Sequence, residues 1–372
     1  MLKAFKNLII RNLRNIHGWK THRKIVVIES DDWGAIRMPS RKVYDNLLSQ
    51  KIRVDKSYYN QNDSLESNDD LGALFSVLKK HRDKNDNHPI ITALSIVANP
   101  NFEKIRSNNF KVYEYESVSE TLKKYGASHS NVYKLWKEGI NEGVFYPEFH
   151  GREHLNVNRW LEVLKNPDSI TRKCFEFNFY GMGQEKGISY LPAFDIDTEE
   201  DILNQQKILE EGINLFEQLF NYKPTFFVAP NSLLNTKLEP ILKDKGISIL
   251  SGARQQREPL GGGKFKKNFR YTGKFNEYNQ VFTARNSQFE HGHNAQMYGW
   301  ERTIKDIETA FFWQKPAIIS THRVNYIGHI NEKNRKKGIK QLDNLLNNII
   351  KKWPDVEFMT TTQLGQLMAI SK

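Results

Sequence analysis

Residues 24–34 read KIVVIESDDWG, a run of β-formers that stops at two adjacent carboxylates, Asp31 and Asp32. In α/β enzymes the carboxyl ends of strands present the chemistry, because a rigid sheet holds the loops there around a cleft. Two neighbouring acids at such a place can divide the work, one binding a cation and the other taking a proton from a water molecule. Asp is also common in turns, so the pair by itself also fits a plain strand-to-loop connection.

The rest of the chain alternates short β-rich segments with helical patterns. Strand alternating with helix predicts a parallel sheet, and this many units favours a closed or nearly closed barrel. We therefore expect one barrel domain over residues 24–372, preceded by a helix within residues 1–23. Two stretches, 51–68 (polar and Tyr-rich) and 252–280 (rich in Gly, Lys and Arg), are expected to be inserted loops over one barrel face. The predicted strands are 24–30, 90–97, 144–149, 224–229, 247–251, 281–285, 317–321 and 356–360, and the predicted helices are 41–50, 69–82, 117–125, 130–141, 153–165, 199–220, 236–245, 301–314, 334–352 and 362–370.

Composition indicates a globular protein with a large core, since the 372 residues are 38% hydrophobic and 12% aromatic. Cys174 is the single cysteine, which excludes an intramolecular disulfide and fits a reducing compartment. No apolar run approaches the roughly 18 residues that span a bilayer. The start of the chain lacks the pattern of a secretory signal, because Arg11 and Arg14 follow a short apolar stretch at once. A cytoplasmic location is therefore expected.

The formal charge of +12 is unevenly placed, and residues 1–24 contain seven Lys or Arg and no acid. A basic amphipathic helix is predicted there, which either lies on the anionic inner face of a membrane or packs against the domain with its basic face in water. Nucleic acid is a common partner of basic proteins, but no base-reading motif is present, so no specific nucleic-acid partner is expected. The apolar residues at helical spacing are Leu2, Phe5, Ile9, Leu13 and Ile16.

Three further segments carry chemistry-bearing residues just past predicted strands. His150 and His154, in FYPEFHGREHLN, are four residues apart, so on one helical turn their side chains would share a face and could bind one ion. His322 follows an apolar run and has an unperturbed pKa that suits a proton donor. Pro230 and Asn231 follow another strand. Each feature alone also fits a surface histidine or a turn, but a barrel would bring them to one rim, as in a catalytic metal site.

With these motifs in this order, residues 24–370 resemble the polysaccharide deacetylases of carbohydrate esterase family 4. The Asp-Asp pair, the His-x-x-x-His motif, the Pro-bearing segment FFVAPNSLLNTKLEPILKDKG and the late strand AIISTHR match that family's motifs. The resemblance implies an irregular (β/α)7 barrel and a divalent metal, with Zn²⁺ as the expected ion. It also implies that Asp31 is the general base, that His322 is the general acid, and that the metal ligands are Asp32, His150 and His154.

The sequence departs from the family pattern at three places. Glu29-Ser30 replaces the Thr-Phe before the Asp pair, Val228 replaces the arginine that orients the base, and no clear Asp-x-x-Asp-Trp segment is present to tune the acid. Arg285 and Glu290 are the candidates to supply those charges, with an ion pair elsewhere on the surface as the alternative. The residues expected to contact a sugar, through stacking and hydrogen bonds, are Trp33, Pro230, Asn231, Arg323 and Asn325.

Three functions follow from these patterns. The first is a metal-dependent deacetylase that removes an N- or O-linked acetyl group from a sugar of a polysaccharide or its precursor, as in capsule or exopolysaccharide assembly. The second is a glycoside hydrolase that uses Asp31 with Glu29, Glu148 or Glu290. The third is a catalytically idle barrel that binds polysaccharide or anionic membrane. The motif EHGH, residues 290–293, favours surface histidines over a second metal site.

Overall fold

The computed structural model describes residues 2–292 and 299–371, with side chains from Leu8 onward. Strands and helices alternate over most of these residues. The strands are β1 (Lys24–Trp33), β2 (Ile91–Ser95), β3 (Ala98–Pro100), β4 (Tyr115–Ser117), β5 (Phe145–Phe149), β6 (Gln184–Glu185), β7 (Ile188–Ser189), β8 (Phe226–Val228), β9 (Ile249–Gly252), β10 (Gln255–Pro259), β11 (Phe265–Phe269), β12 (Val281–Ala284), β13 (Ser287–Gln288), β14 (Ala317–His322) and β15 (Val356–Met359). The α-helices are α1 (Leu2–Asn15), α2 (Arg41–Ser49), α3 (Tyr58–Asn62), α4 (Asn68–Leu78), α5 (Phe102–Ser107), α6 (Val118–Lys124), α7 (Val132–Asn141), α8 (Val157–Leu164), α9 (Ile170–Phe175), α10 (Glu200–Phe220), α11 (Glu239–Asp244), α12 (Trp300–Phe312), α13 (Glu332–Lys352) and α14 (Thr361–Ile370).

The central sheet is parallel in all its pairings and curls into a barrel. Its strand order is β12-β9-β8-β5-β2-β1-β14-β13, and β15 pairs with the first half of β1. β12 and β13 stand at opposite ends of this order, yet only Arg285 and Asn286 separate them in the chain. Residues 281–288 therefore pair with β9 through their first half and with β14 through their second half, which closes the ring. Counting this segment once, the ring has seven strand positions, which confirms the predicted (β/α)7-type barrel.

β1 shows how the sequence builds the barrel wall. Ile25 and Val27 belong to the cluster inside the ring, whereas Val26 and Ile28 pack outward beneath the surrounding helices. Because both faces are buried, the strand is almost continuously apolar instead of alternating with polar residues. α14 fills the ring near the amino-terminal ends of the strands, since its Leu364 joins the interior cluster. The carboxyl ends of the strands are left for polar residues.

Each predicted strand of the central sheet is present, and each predicted helix is present with shifted ends. The short helices α3, α5 and α9, the antiparallel strand pair β3–β4 and the hairpin β6–β7 were not predicted, because they are too short to show a hydrophobic period. The stretch 252–280 is not an irregular loop, because it contains the antiparallel hairpin β10–β11. The stretch 51–68 contains α3 and lies beside the cleft.

α1 packs against α12 through polar contacts. Nε of Arg11 lies 3.2 Å from Oδ1 of Asp306, and the indole N–H of Trp313 donates to Oδ1 of Asn12 at 2.8 Å. Among the described residues, no helix combines the length and the apolar character needed to cross a bilayer.

Candidate active site

A bulge at the end of β1 turns two consecutive carboxylates toward one cleft. The pairing of β1 with β2 shifts register between Ser30 and Trp33, and Asp32 within the shift has a φ of 81°. Successive residues of a regular strand point to opposite faces, so an unbulged strand would turn either Asp31 or Asp32 away. Both residues line the same cavity. A residue other than glycine at positive φ is held by its surroundings, and such strain is concentrated at functional sites.

His150 and His154 lie on a loop, so the predicted helical turn is wrong. Gly151, with a φ of 111°, reverses the chain directly after β5, and α8 begins only at Val157. The backbone N–H of His150 donates to the carbonyl of Ser95 at 2.9 Å, which fastens this loop to the end of β2. The two imidazoles nevertheless meet, with ring centroids 5.5 Å apart. The loop, and not helical spacing, brings them together.

Asp32, His150 and His154 present three ligand atoms to one point, all within 4.8 Å of one another. Oδ1 of Asp32 lies 3.7 Å from Nε2 of His150 and 3.4 Å from Nε2 of His154. This buried oxygen has no hydrogen-bond partner among the described residues, while Oδ2 accepts from Arg37 at 2.9 Å. Nδ1–H of His150 donates to the carbonyl of Val228 at 2.7 Å, which leaves Nε2 free to face Asp32. The donor set fits a divalent cation, since it combines one carboxylate with two imidazoles.

The segment that closes the barrel brings Arg285 to Asp31. Its Nη1 and Nη2 donate to the two carboxylate oxygens of Asp31 at 2.7 and 2.5 Å. Its Nε donates to Glu29 at 2.6 Å, and Nη1 also donates to the hydroxyl of Ser320 at 3.0 Å. A two-pronged guanidinium fixes both the position and the plane of a carboxylate. Val228, which replaces the arginine expected to orient the base, lies on β8. Arg285 contacts Asp31 from a different place, the connection between β12 and β13.

His322 faces Asp31 from the neighbouring strand. Nε2 of His322 lies 3.8 Å from Oδ2 of Asp31, and its Nδ1–H donates to Oε1 of Glu290 at 2.5 Å. Oε2 of Glu290 in turn accepts from the amide of Asn325 at 2.7 Å. The imidazole is 29% exposed, so it reaches the open cleft. Glu290 therefore orients His322 with Nε2 toward the cleft.

Charges around the cleft set the protonation states. Burial lowers the pKa of His322, but the carboxylates of Glu290 and Asp31 outweigh burial and raise the pKa to about 10. Burial raises the pKa of Asp31, whereas the Arg285 guanidinium outweighs burial and holds this pKa below its usual value. Burial lowers the pKa of His154 to about 3, which keeps this imidazole neutral. At neutral pH the pair across the cleft is therefore a carboxylate and an imidazolium, one suited to accept a proton and the other to donate one.

Two of the residues expected to contact a sugar are packed inside the protein. Trp33 is 1% exposed, packs edge-on against Phe145 and donates its indole N–H to Ser30. Asn325 is fully buried and holds Glu290. Both predictions of substrate contact are therefore corrected, because neither side chain reaches the cavity.

Arg323 is also corrected, from a substrate contact to a buried structural cation. Its Nη2 donates to Asp63 at 3.0 Å and its Nη1 donates to Glu66 at 2.7 Å, and both acids come from the inserted stretch 51–68. Arg37 links the same network to Asp32, because its Nη2 donates to Asp32 and its Nε lies 3.3 Å from Asp63. Alternating charges thus hold the inserted stretch 51–68 beside the candidate metal ligands Asp32, His150 and His154. No local pattern pointed to these partners, because Asp63 lies 260 positions before Arg323.

The cavity has a volume of about 410 Å³. Asn231, expected to contact substrate, lines the cavity, whereas Pro230, also expected to do so, is buried and is not among the lining residues. Tyr59 and Tyr180 were not predicted, and their rings lie 5.6 and 5.9 Å from the guanidinium of Arg37. The Tyr-rich character of stretch 51–68 was the available signal for Tyr59. Further lining residues are Ser57, Asn60, Gly181, Met182, Leu191 and Ser232.

His291 is not a surface histidine, because it is fully buried and its Nε2 lies 3.3 Å from the carbonyl of Asn325. His293, the other histidine of that motif, lies outside the described residues. No second metal cluster is found within residues 2–292 and 299–371.

Comparison with known proteins found no matching family model and no matching curated protein. Solved structures that resemble the chain include a protein assigned as a polysaccharide deacetylase from Mycobacterium smegmatis, at 10% identity and a TM-score of 0.42, covering 95% of this chain and 93% of that one. A family 4 acetyl xylan esterase from Clostridium thermocellum, in complex with a cobalt ion, has 12% identity, a TM-score of 0.35 and coverage of 92% and 91%. A 4-alpha-glucanotransferase from Thermococcus litoralis has 10% identity and a TM-score of 0.43, covering 92% of this chain and 40% of that one.

At these identities and TM-scores, none of the solved structures assigns a reaction to the chain. The strand order and the meeting of the Asp-Asp, His-x-x-x-His and late-His motifs in one cleft are properties of the chain itself. They agree with the architecture that the motifs imply, a (β/α)7-type barrel with these motifs at one cleft.

Proposed function

We propose that the protein is a metal-dependent deacetylase that removes an N- or O-linked acetyl group from a sugar of a polysaccharide or its precursor. The observation that carries this proposal is the meeting of two arrangements in one cavity. One is the cation cluster of Asp32, His150 and His154, and the other is the pair of Asp31 and His322 with 3.8 Å between their facing atoms.

Asp32, His150 and His154 would hold the cation, for which Zn²⁺ is the proposed ion. The unpartnered Oδ1 of Asp32 supports this assignment, because an isolated buried carboxylate oxygen is costly without a positive partner. When bound, a divalent cation lowers the pKa of a water molecule and draws charge from an acyl oxygen.

The protein's own groups then divide the proton transfers. Asp31, held in place by Arg285, accepts a proton from the attacking water. His322, held by Glu290, donates a proton to the departing amine or alkoxide of the sugar. Two rigid partners keep these groups in fixed positions, which lowers the entropic cost of reaching the transition state.

The alternative of a glycoside hydrolase is less well supported by the cavity. That reaction needs a second carboxylate that reaches the glycosidic bond. Glu29 is fully buried against Arg285, Glu148 is fully buried against Thr225 and Thr362, and neither lines the cavity. Glu290 is bonded to His322 and is also absent from the cavity lining. The altered family motifs would favour an idle barrel, but Arg285 contacts Asp31 and Glu290 contacts His322, so both groups have a charged partner.

The test is acetate release by the purified protein from acetylated chito-oligosaccharide and acetylated xylan, after stripping with a chelator and reloading with Zn²⁺ or Co²⁺. The proposal expects acetate from at least one substrate, loss of release on stripping and its return on reloading. New reducing ends without free acetate would overturn it in favour of glycosidic cleavage. Binding of one equivalent of metal without turnover on any acetylated glycan would overturn it in favour of an idle barrel.

A further inference from the structure

α1 turns its apolar side away from the protein. Ile9 and Leu13 on α1 and Ile16 directly after its end follow one another at helical spacing, and they are 43%, 50% and 40% exposed. The flanking Leu8 and Ile10 are 49% and 37% exposed. These five residues form the α1 stripe. The sequence allowed a helix that packs on the domain with its basic face in water, but the structure exposes the apolar stripe instead.

Polar residues fasten the opposite side of α1 to the barrel. Asn15 is 1% exposed and accepts a hydrogen bond from Asn286, in the segment that closes the ring, at 2.9 Å. Arg11 pairs with Asp306 on α12. An amphipathic helix that only covered a domain would bury its apolar side, because that burial is the main source of stabilisation. The reversed orientation therefore calls for an apolar surface outside the protein.

The helix that carries the stripe is itself basic, and the acids close to its arginines, Asp306 and Glu308, belong to α12. Residues 1–24 contain no acid, and neither Arg14 nor Arg254 makes a salt bridge within the described part of the chain. Burial and the positive charge of Arg14 lower the pKa of Arg254, so the two guanidinium groups are close enough to repel each other. Arg254 directly precedes β10, and the hairpin β10–β11 carries the exposed Lys264 and Lys267.

We infer that the α1 stripe docks the protein on an anionic lipid bilayer. Apolar side chains would enter the headgroup boundary while the arginines beside them meet anionic headgroups, which is how interfacial amphipathic helices bind. A second copy of the chain is a poorer occupant, because two copies of the same stripe would bring like charges together. This inference is independent of the proposed reaction.

The experiment is co-sedimentation of the protein, residues 1–372, with vesicles. One set contains equal parts of phosphatidylcholine and phosphatidylglycerol, and the other contains phosphatidylcholine alone. We expect binding to the anionic set and a drop of roughly tenfold or more in the partition coefficient for the double variant Ile9→Ser/Leu13→Ser. Leu203→Ser is the matched control, since Leu203 is 63% exposed on α10, and it should bind like the wild type.

Three results would overturn the inference. The wild-type protein does not sediment with anionic vesicles, or the double variant binds them as well as the wild type does. The third is a dimer, seen by sedimentation velocity, that the double variant abolishes. The last result would assign the stripe to a second copy. Both substitutions replace exposed side chains, so circular dichroism and acetate release from a soluble substrate should be unchanged. Vesicle binding therefore tests the docking surface, and acetate release separately tests the proposed reaction.

Discussion

Asp31 and His322 lie in register on neighbouring parallel strands, and their side chains face each other across 3.8 Å. Each is held from behind by a residue of the segment after β12, Asp31 by Arg285 and His322 by Glu290. The stretch of chain from Arg285 to Glu290 therefore supports both members of the candidate acid–base pair.

Replacing Asp31 by Asn should remove the proton acceptor while leaving the cation cluster intact. We expect acetate release to fall by roughly a hundred- to ten-thousand-fold, which is the usual contribution of a positioned base. Metal content, measured by mass spectrometry after dialysis, should stay equal to that of the wild type, because Asp31 is not among the ligand candidates. Full activity in this variant would remove Asp31 as the base.

Arg285→Lys keeps the positive charge beside Asp31 but loses the two-pronged grip. We expect kcat to fall roughly ten- to a hundredfold with little change in KM, as for other residues that orient a reacting group. Arg257→Lys, on the exposed hairpin β10–β11, is the control and should leave kcat unchanged. A purely structural role would instead appear as a lower melting temperature with normal kcat in the folded fraction.

Asp32→Asn tests the cation cluster directly. Zn²⁺ at a hundred times its Kd should stabilise the wild-type protein by about 3 kcal/mol, because a ligand that binds the folded state alone shifts unfolding by mass action. The variant loses the anionic ligand and should show little of this shift in a thermal melt. Asp69→Asn, at an 82% exposed carboxylate, should respond to Zn²⁺ like the wild type. Equal shifts in all three proteins would place the metal elsewhere.

Arg323→Met tests the corrected role of Arg323. Removal of this cation leaves Glu66 buried without its cationic partner and leaves Asp63 to Arg37, and the loss of a buried partner costs about 3–5 kcal/mol of unfolding free energy. Arg53→Met breaks an ion pair with Asp55 at side chains that are 59% and 33% exposed, and it should cost much less, because an ion pair in water stabilises a protein little. Urea unfolding of both variants makes the comparison. A stable Arg323→Met protein with weakened substrate binding would restore the original prediction.

The barrel could be predicted from the sequence because its strands are buried on both faces. Stretches such as 24–30 and 317–321 are apolar throughout and end at polar residues, so their type and order follow from local pattern alone. The convergence of Asp32, His150 and His154 then followed from the parallel topology, whatever the local conformation of each loop.

Local geometry and long-range pairing could not be predicted in the same way. The bulge at Asp32 depends on its pairing with β2, and the loop of His150 depends on contacts with Ser95. Arg323 looked available for substrate because its acidic partners lie in an insertion far back in the chain. A side chain that follows a strand end can line a cleft or turn into the protein, and only the tertiary contacts decide which.

Acid should loosen the inserted stretch 51–68 through His129. This buried imidazole contacts the carbonyl of Leu65 at 3.2 Å, and its ring lies 4.9 Å from that of His329. Burial lowers the pKa of His129 from 6.5 to about 4. The unfolded chain therefore binds a proton at this residue more readily than the folded chain. The contribution of the neutral His129 to the free energy of unfolding is complete above pH 6.5 and is lost as the pH falls toward 4.

His129→Gln should reduce that loss, since its amide can still donate to Leu65 but does not titrate. We expect the wild type to lose up to about 3 kcal/mol more than the variant between these pH values, because a tenfold difference in proton affinity between the folded and unfolded chains is worth roughly 1.4 kcal/mol. Urea unfolding measured at neutral pH and at pH 4 gives both differences. Some pH dependence should remain in the variant, because burial lowers the pKa of His329 as well. If both proteins lost the same stability, acid would act elsewhere in the fold.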